Sequence, residues 1–292
     1  MLVMMGATGQ VGGAALEALN RRGVTVRAIA RDLERARPLA VSGIETVRGE
    51  ATDTASLIAA FKGAEAAFVM LVPSMQAADV LAESLAAAQS IALAIRAAGV
   101  PHVVALSSAG ADLAEGNGIV RTLHDFERAL AGAAPSLVVL RPGDFMENWA
   151  AMLPAARAAG VLPSAKLPLD GAAETVSALD VGRAVAELLL DPRPGTRVVN
   201  LAGPKDYSPA DAAAAVSELL GRPVMAVPSS RDETIASLQA AGASADYAAK
   251  LADLTDAVNA GRLRLEAGDG EMRRGTVTLK EALQRLVSAG QP

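Results

Sequence analysis

Leu2-Val-Met-Met-Gly6-Ala-Thr-Gly9-Gln-Val-Gly12 reads as strand, tight turn and helix in direct succession. Four apolar residues lead into Gly6. From Gln10 the apolar positions recur at helical spacing as far as Arg21, and Gly23 supplies a left-handed stop. The glycines at 6, 9 and 12 form a GxxGxxG pattern, and each has its own use. Gly6 allows the turn, Gly9 lets backbone approach a pyrophosphate, and Gly12 lets helix and strand pack closely. The amides at the helix start then meet phosphate charge. A glycine triplet alone is a weak signal, and its alternative is a plain turn. Its place between strand and helix makes it a dinucleotide-binding segment, with Gly6, Thr8, Gly9, Gln10, Val11 and Gly12 at the cofactor.

Outward from this unit the chain keeps alternating. Strand-like runs fall at 24–30, 44–47, 66–72, 102–106 and 136–140. Helix-like runs fall between them at 33–40, 54–61 and 77–98. The run 66–72 is continuously apolar, as a strand covered on both faces would be. Such alternation predicts a doubly wound parallel sheet with helices on both sides. After residue 150 the pattern loosens around Pro154, Gly160, Pro163 and Pro168. It resumes with a helix at 181–190, a strand at 198–201, a Ser208-Pro209 helix start and a long helical stretch at 232–254. We therefore expect a cofactor-binding domain over 1–150, its core also taking later segments at about 175–202. A smaller C-terminal α/β subdomain over 151–292 would close a cleft on the substrate side.

The second strand reads Val26-Arg-Ala-Ile-Ala30, and Arg31 follows where an acid would hold an adenosine ribose. A guanidinium grips a 2′-phosphate with forked, charge-assisted hydrogen bonds, so Arg31 favours NADP(H), with NAD(H) still possible. Asp32, its neighbour, either caps the next helix or faces the ribose. The segment after the third strand, with Ala51, lies where the adenine edge would sit, and Asp53 is placed to cap the helix after it. Leu71, Val72 and Pro73 end the fourth strand on the carboxyl side, where open parallel sheets bind ligands.

Composition removes several other functions. With 27 Lys plus Arg against 32 Asp plus Glu, the chain carries a net charge of −5 and lacks the basic excess of a nucleic-acid binder. One Trp, two Tyr and four Phe cannot build base-stacking platforms. The absence of cysteine removes thiol chemistry and disulfides, and two separated histidines suggest no metal site. The first residues lack a basic leader, and the apolar stretch 64–73 is far short of the ~20 residues of a membrane helix. The expectation is a cytoplasmic protein that binds neither nucleic acid nor membrane.

Several motifs together resemble the NmrA-like branch of the atypical short-chain dehydrogenases. They are the glycine segment, Arg31-Asp32, Leu106-Ser-Ser-Ala-Gly, His124 to Glu127, Leu140-Arg-Pro-Gly-Asp-Phe-Met-Glu-Asn148, Leu179-Asp-Val-Gly-Arg183 and Leu201-Ala-Gly-Pro-Lys-Asp-Tyr-Ser208. The resemblance spans nearly the whole chain. It implies a Rossmann-type domain with a small C-terminal domain, and either an NADPH-dependent quinone or dye reductase or a non-catalytic sensor of NADP(H).

The Tyr-x-x-x-Lys pair of ordinary short-chain dehydrogenases is missing, since Tyr247 is followed four residues later by Leu251. In the corresponding region His124 is a candidate proton donor or a hydrogen-bond partner of the nicotinamide ribose, because histidine titrates nearest neutrality. The alternative is a histidine tied to a backbone carbonyl. Glu127 resembles a helix glutamate that ties nearby donors. By the same resemblance Ser107 contacts substrate or ribose, or else stabilises a turn. Gly143 and Phe145 lie at the nicotinamide carboxamide. Phe145 and Trp149 offer an apolar platform to a flat substrate, whereas Met146 is expected in ordinary packing.

The leading expectation is hydride transfer from NADPH to a planar electron-poor substrate such as a quinone or dye. Positioning in a dry cleft does most of that work. A sensor would use the same cleft and a protein partner, and a tailoring oxidoreductase would use it on an aromatic natural product.

Overall fold

The computed structural model describes residues 1–265 and 270–289. Its strands are β1 (Leu2–Met5), β2 (Val26–Ala30), β3 (Glu45–Arg48), β4 (Ala66–Met70), β5 (His102–Leu106), β6 (Ser136–Pro142), β7 (Asp144–Phe145), β8 (Val161–Ser164), β9 (Thr175–Val176), β10 (Gly195–Ala202), β11 (Met225–Pro228) and β12 (Glu271–Arg274). Its helices are α1 (Gln10–Asn20), α2 (Leu33–Val41), α3 (Thr54–Phe61), α4 (Val80–Ala98), α5 (Arg121–Leu130), α6 (Leu153–Ala159), α7 (Ala178–Leu189), α8 (Pro209–Leu220), α9 (Arg231–Ala240), α10 (Ala245–Asn259) and α11 (Leu279–Ala289).

Eight strands form one parallel sheet in the order β12-β10-β6-β5-β4-β1-β2-β3. The strand order reverses between β1 and β4, which leaves a crevice at their carboxyl ends. This is the Rossmann-type α/β fold expected from the alternation. Burial follows the two-residue period of the strands. Leu2 and Met4 face a core made with α1 and α7, while Val3 and Met5 face a core made with α3, α4 and α5.

Two contacts fix α1 on the sheet. A Cβ on Gly12 would lie 2.1 Å from the Gly6 carbonyl oxygen, so this glycine is required by close approach. A Cβ on Gly182 would lie 2.6 Å from the Val11 oxygen, so α7 presses directly on the backbone of α1. Asp180, in the same Leu-Asp-Val-Gly-Arg motif, accepts from the amides of Thr276 (2.8 Å) and Val277 (2.7 Å), pinning the exit of β12.

A third core lies beyond β7, where Met146, Leu153, Leu162, Val216 and Leu283 pack together from α6, α8, α11 and their neighbours. Strands β8 and β11 pair there. The stretch 232–254, expected to be mostly helical, is so: it holds α9 and most of α10, separated around Gly242 with its φ of 94°. Strand β12 was not foreseen in the sequence. Helix α4 is long and apolar enough to cross a membrane by length and composition, and half of it is buried in the molecule. Its inner face, including Ile91 and Ile95, belongs to the core with Phe61 and Phe126.

Candidate functional site

At the crevice, Gly6 adopts φ 67°, and the Met70 sulfur occupies the space of its missing side chain. Gly9 differs. Its φ is −90°, which any residue adopts, and a Cβ there would meet only the Gly6 oxygen at 3.3 Å. Nothing inside the described protein makes Gly9 a glycine. It caps α1 without a side-chain hydrogen bond. In contrast, α2, α3, α4, α7, α8, α9 and α10 are each capped by an Asp or Ser side chain. Thr8, Gly9 and Gln10 are exposed, while Val11 is buried. The first turn of α1 thus keeps donors for an outside anion and a smooth backbone for it to rest on, and these residues fit a pyrophosphate.

At the end of β2, Asp32 is already engaged. Its Oδ1 accepts from the amides of Glu34 (2.9 Å) and Arg35 (3.3 Å), capping α2. Arg31 is exposed and, among the described residues, has no partner. Ala51 is half-buried after β3, its amide donating to the Glu50 side chain (3.1 Å), and Asp53 caps α3 through Ser56. After β4, Leu71 is buried and Val72 is exposed, with Pro73 between those extremes. These residues, Gly6 and Arg31 all lie at carboxyl ends of β1 to β4.

Beside them, Ser107 is buried at the end of β5 and donates its hydroxyl to Glu127. Arg141 on β6 grips the same carboxylate with Nε (2.9 Å) and Nη2 (2.6 Å). Glu127 therefore ties β5, α5 and β6 into one wall. His124, one turn earlier on α5, holds the Ala111 carbonyl through Nδ1 at 2.8 Å. A carbonyl only accepts, so Nδ1 carries the hydrogen and Nε2 of the neutral ring is an acceptor. The geometry favours the brace of the two readings of His124. His102 is buried between Ser136 and Leu188 and serves packing. Tyr247 sits with Val80 and Ile119 on α10, where burial pushes its phenol upward and keeps it neutral.

After β6 the chain runs close to residue 174. A Cβ on Gly143 would stand 2.5 Å from the Glu174 oxygen. Phe145 packs on the α1/α7 core and Trp149 on the C-terminal core, so each is half-buried against a different layer. Met146 is fully buried. Two polar residues escaped the sequence reading. Asp144 pairs with Lys166 and accepts from the Asn148 amide (2.9 Å), and Lys166 Nζ stands 5.9 Å from the Trp149 ring centre. No periodic signal links 144 to 166 across that loop-rich stretch. Among the described residues, no three His, Cys, Asp or Glu side chains gather as a metal site.

Known proteins share this design. An NAD(P)H azoreductase of Xenophilus azovorans is 27% identical over 227 residues, covering 77% of this chain and 75% of that protein. Quinone oxidoreductase 2 of Escherichia coli strain K12 is 28% identical over 255 residues, covering 87% and 86%. The crystal structure of an NADPH-dependent quinone oxidoreductase of Escherichia coli, complexed with NADPH, superimposes with a TM-score of 0.80 at 26% identity. It covers 98% of this chain and all of that one. The sequence profile of the NmrA-like family matches residues 1–259, and the chain belongs to that family.

Proposed function

We propose that this protein transfers hydride from NADPH to a planar, electron-poor acceptor such as a quinone or a dye. It is an NAD(P)H-dependent oxidoreductase, in keeping with its azoreductase and quinone oxidoreductase relatives. The observation that carries the cofactor reading is the division of labour at the end of β2. Asp32 is committed to α2, and Arg31 is left to meet a phosphate. When bound, the nicotinamide dinucleotide supplies the hydride, and the protein's residues hold and shield it. The α1 amides take the pyrophosphate, Arg31 the 2′-phosphate, and Ala51 the adenine edge. Leu71, Val72, Pro73 and the Ser107 loop flank the remainder. The backbone at Gly143 and Phe145 meets the carboxamide. Phe145 and Trp149 supply apolar surface to the acceptor, and the C-terminal residues from 151 onward form the substrate side.

Arg31→Ala should weaken NADPH binding by about 1.5–3 kcal/mol, the range of a hydrogen bond to a charged group, and affect NADH far less. Calorimetry with both cofactors checks this, and equal losses would contradict the assignment. His124→Ala should lower the melting temperature by about 2–4 °C, for a lost hydrogen bond of about 1 kcal/mol, and leave quinone turnover intact. A hundredfold loss of kcat in the folded variant would instead make His124 an acid catalyst.

The function itself is tested by following NADPH absorbance with a panel of quinones and dyes. Turnover supports the reading. Tight NADPH binding with no turnover on any acceptor marks a sensor.

A further inference from the structure

Hydride transfer to a quinone leaves an oxyanion that must gain a proton, and the residues named so far supply none. Ser107 gives its hydrogen to Glu127. Arg141 is bound to the same carboxylate. His124 directs its Nδ1 hydrogen to the Ala111 carbonyl. Lys166 is different. Its backbone is anchored: the amide donates to Ser164 Oγ (3.1 Å), and residues 165 and 167 hydrogen-bond both ends of the Asn259 side-chain amide (2.9 and 2.8 Å). Its ammonium crosses from the loop after β8 to Asp144 on β7, one residue past Gly143. The Ser107 loop reaches the same place, because the Ala109 amide donates to the Pro142 carbonyl at 2.9 Å. The lysine side chain is 33% exposed, so it can exchange protons with water, and it overlooks the Trp149 ring.

We propose that Lys166 is the proton donor to the reduced acceptor, oriented by Asp144; this rests on the reductase reading above. The hydride supplied by NADPH bonds to one oxygen of the quinone, and the electron pair it brings leaves the opposite oxygen a phenolate. One N–H bond of the ammonium breaks and one O–H bond forms, giving the hydroquinone. The neutral amine recovers its proton from water at the exposed mouth. Asp144 stabilises the charged donor between turnovers and fixes its direction, the role of the third group in an acid–base constellation.

The test compares two acceptors. A quinone needs hydride and proton, whereas a cationic triarylmethane dye takes hydride at carbon and becomes neutral with no proton. Lys166→Met should lower kcat on a quinone by about 10²-fold. It should leave dye reduction undiminished and NADPH affinity by calorimetry unchanged. Lys166→Arg keeps the ion pair with Asp144, and thereby the fold, but a guanidinium does not release its proton. It should lose quinone turnover to a similar degree. Equal losses on quinone and dye, or full quinone turnover in Lys166→Arg, would overturn the donor assignment and leave the reductase reading standing. A parent protein that reduces neither acceptor would overturn both.

Discussion

Gly9→Val should bind NADPH about a hundredfold more weakly, roughly 3 kcal/mol, while melting close to the parent temperature. The expectation comes from a contrast inside one loop. Gly6 has φ 67° and Gly12 touches the Gly6 carbonyl, so substitutions at either would strain the protein itself. Gly9 has neither constraint: its backbone is in a region open to all residues, and only one atom lies within 4 Å of a new Cβ. A branched side chain there needs no strained backbone and meets, at its Cβ, only the Gly6 oxygen at 3.3 Å, and it would stand where we propose the pyrophosphate lies. It also keeps that anion from the uncapped amides of α1, each charge-assisted hydrogen bond counting for about 1.5–3 kcal/mol. Calorimetry and thermal melting on one preparation separate the two effects. A variant that binds like the parent would reduce the loop to a turn. A variant that melts far below it would show a constraint on Gly9 that its geometry does not contain.

Glu127→Ala should be the most destabilising single change at the site, by about 3–5 kcal/mol, with a melting temperature roughly 10 °C lower or more. Arg141 and Glu127 are 13% and 14% exposed, so little water is available to replace the carboxylate. The change removes the two hydrogen bonds by which Glu127 holds the Arg141 guanidinium, and frees the buried Ser107 hydroxyl in the same step. Removing one partner of such a pair costs far more than replacing both with apolar groups. The double variant Glu127→Leu with Arg141→Met should therefore regain part of the loss. If the single variant melts like the parent, Glu127 is not what joins β5, α5 and β6.

The readable parts of the sequence were those where one local rule operates. Strand β4 announces itself by an unbroken apolar run, and α8 by Ser208-Pro209 at its start, where Ser208 and Asp211 form reciprocal cap bonds. The glycine spacing located the strand-to-helix turn because the positive φ at Gly6 and the close packing at Gly12 each demand a glycine at a fixed offset. Strand β12 was illegible for the opposite reason. Glu-Met-Arg-Arg is a charged edge strand with exposed positions, and it joins the sheet by pairing with β10. Its backbone, not its side-chain pattern, decides its place. The break between α9 and α10 falls at Gly242, with Ser244 capping the start of α10, in a stretch otherwise rich in helix formers. At the site, sequence left Asp32 with two roles, and only the distances to Glu34 and Arg35 choose between them. The Glu127–Arg141 and Asp144–Lys166 pairs depend on which strand ends the sheet order brings together, and no spacing along the chain encodes that.

The most direct measurement is a competition of cofactors in one assay: purified parent protein, a simple quinone, and either NADPH or NADH, with oxidation followed by absorbance. Our account predicts catalysed loss of NADPH absorbance, with NADH used far less well at equal concentration because Arg31 has no phosphate to hold. Enzyme-independent rates with both cofactors, across quinones and dyes alike, would contradict it.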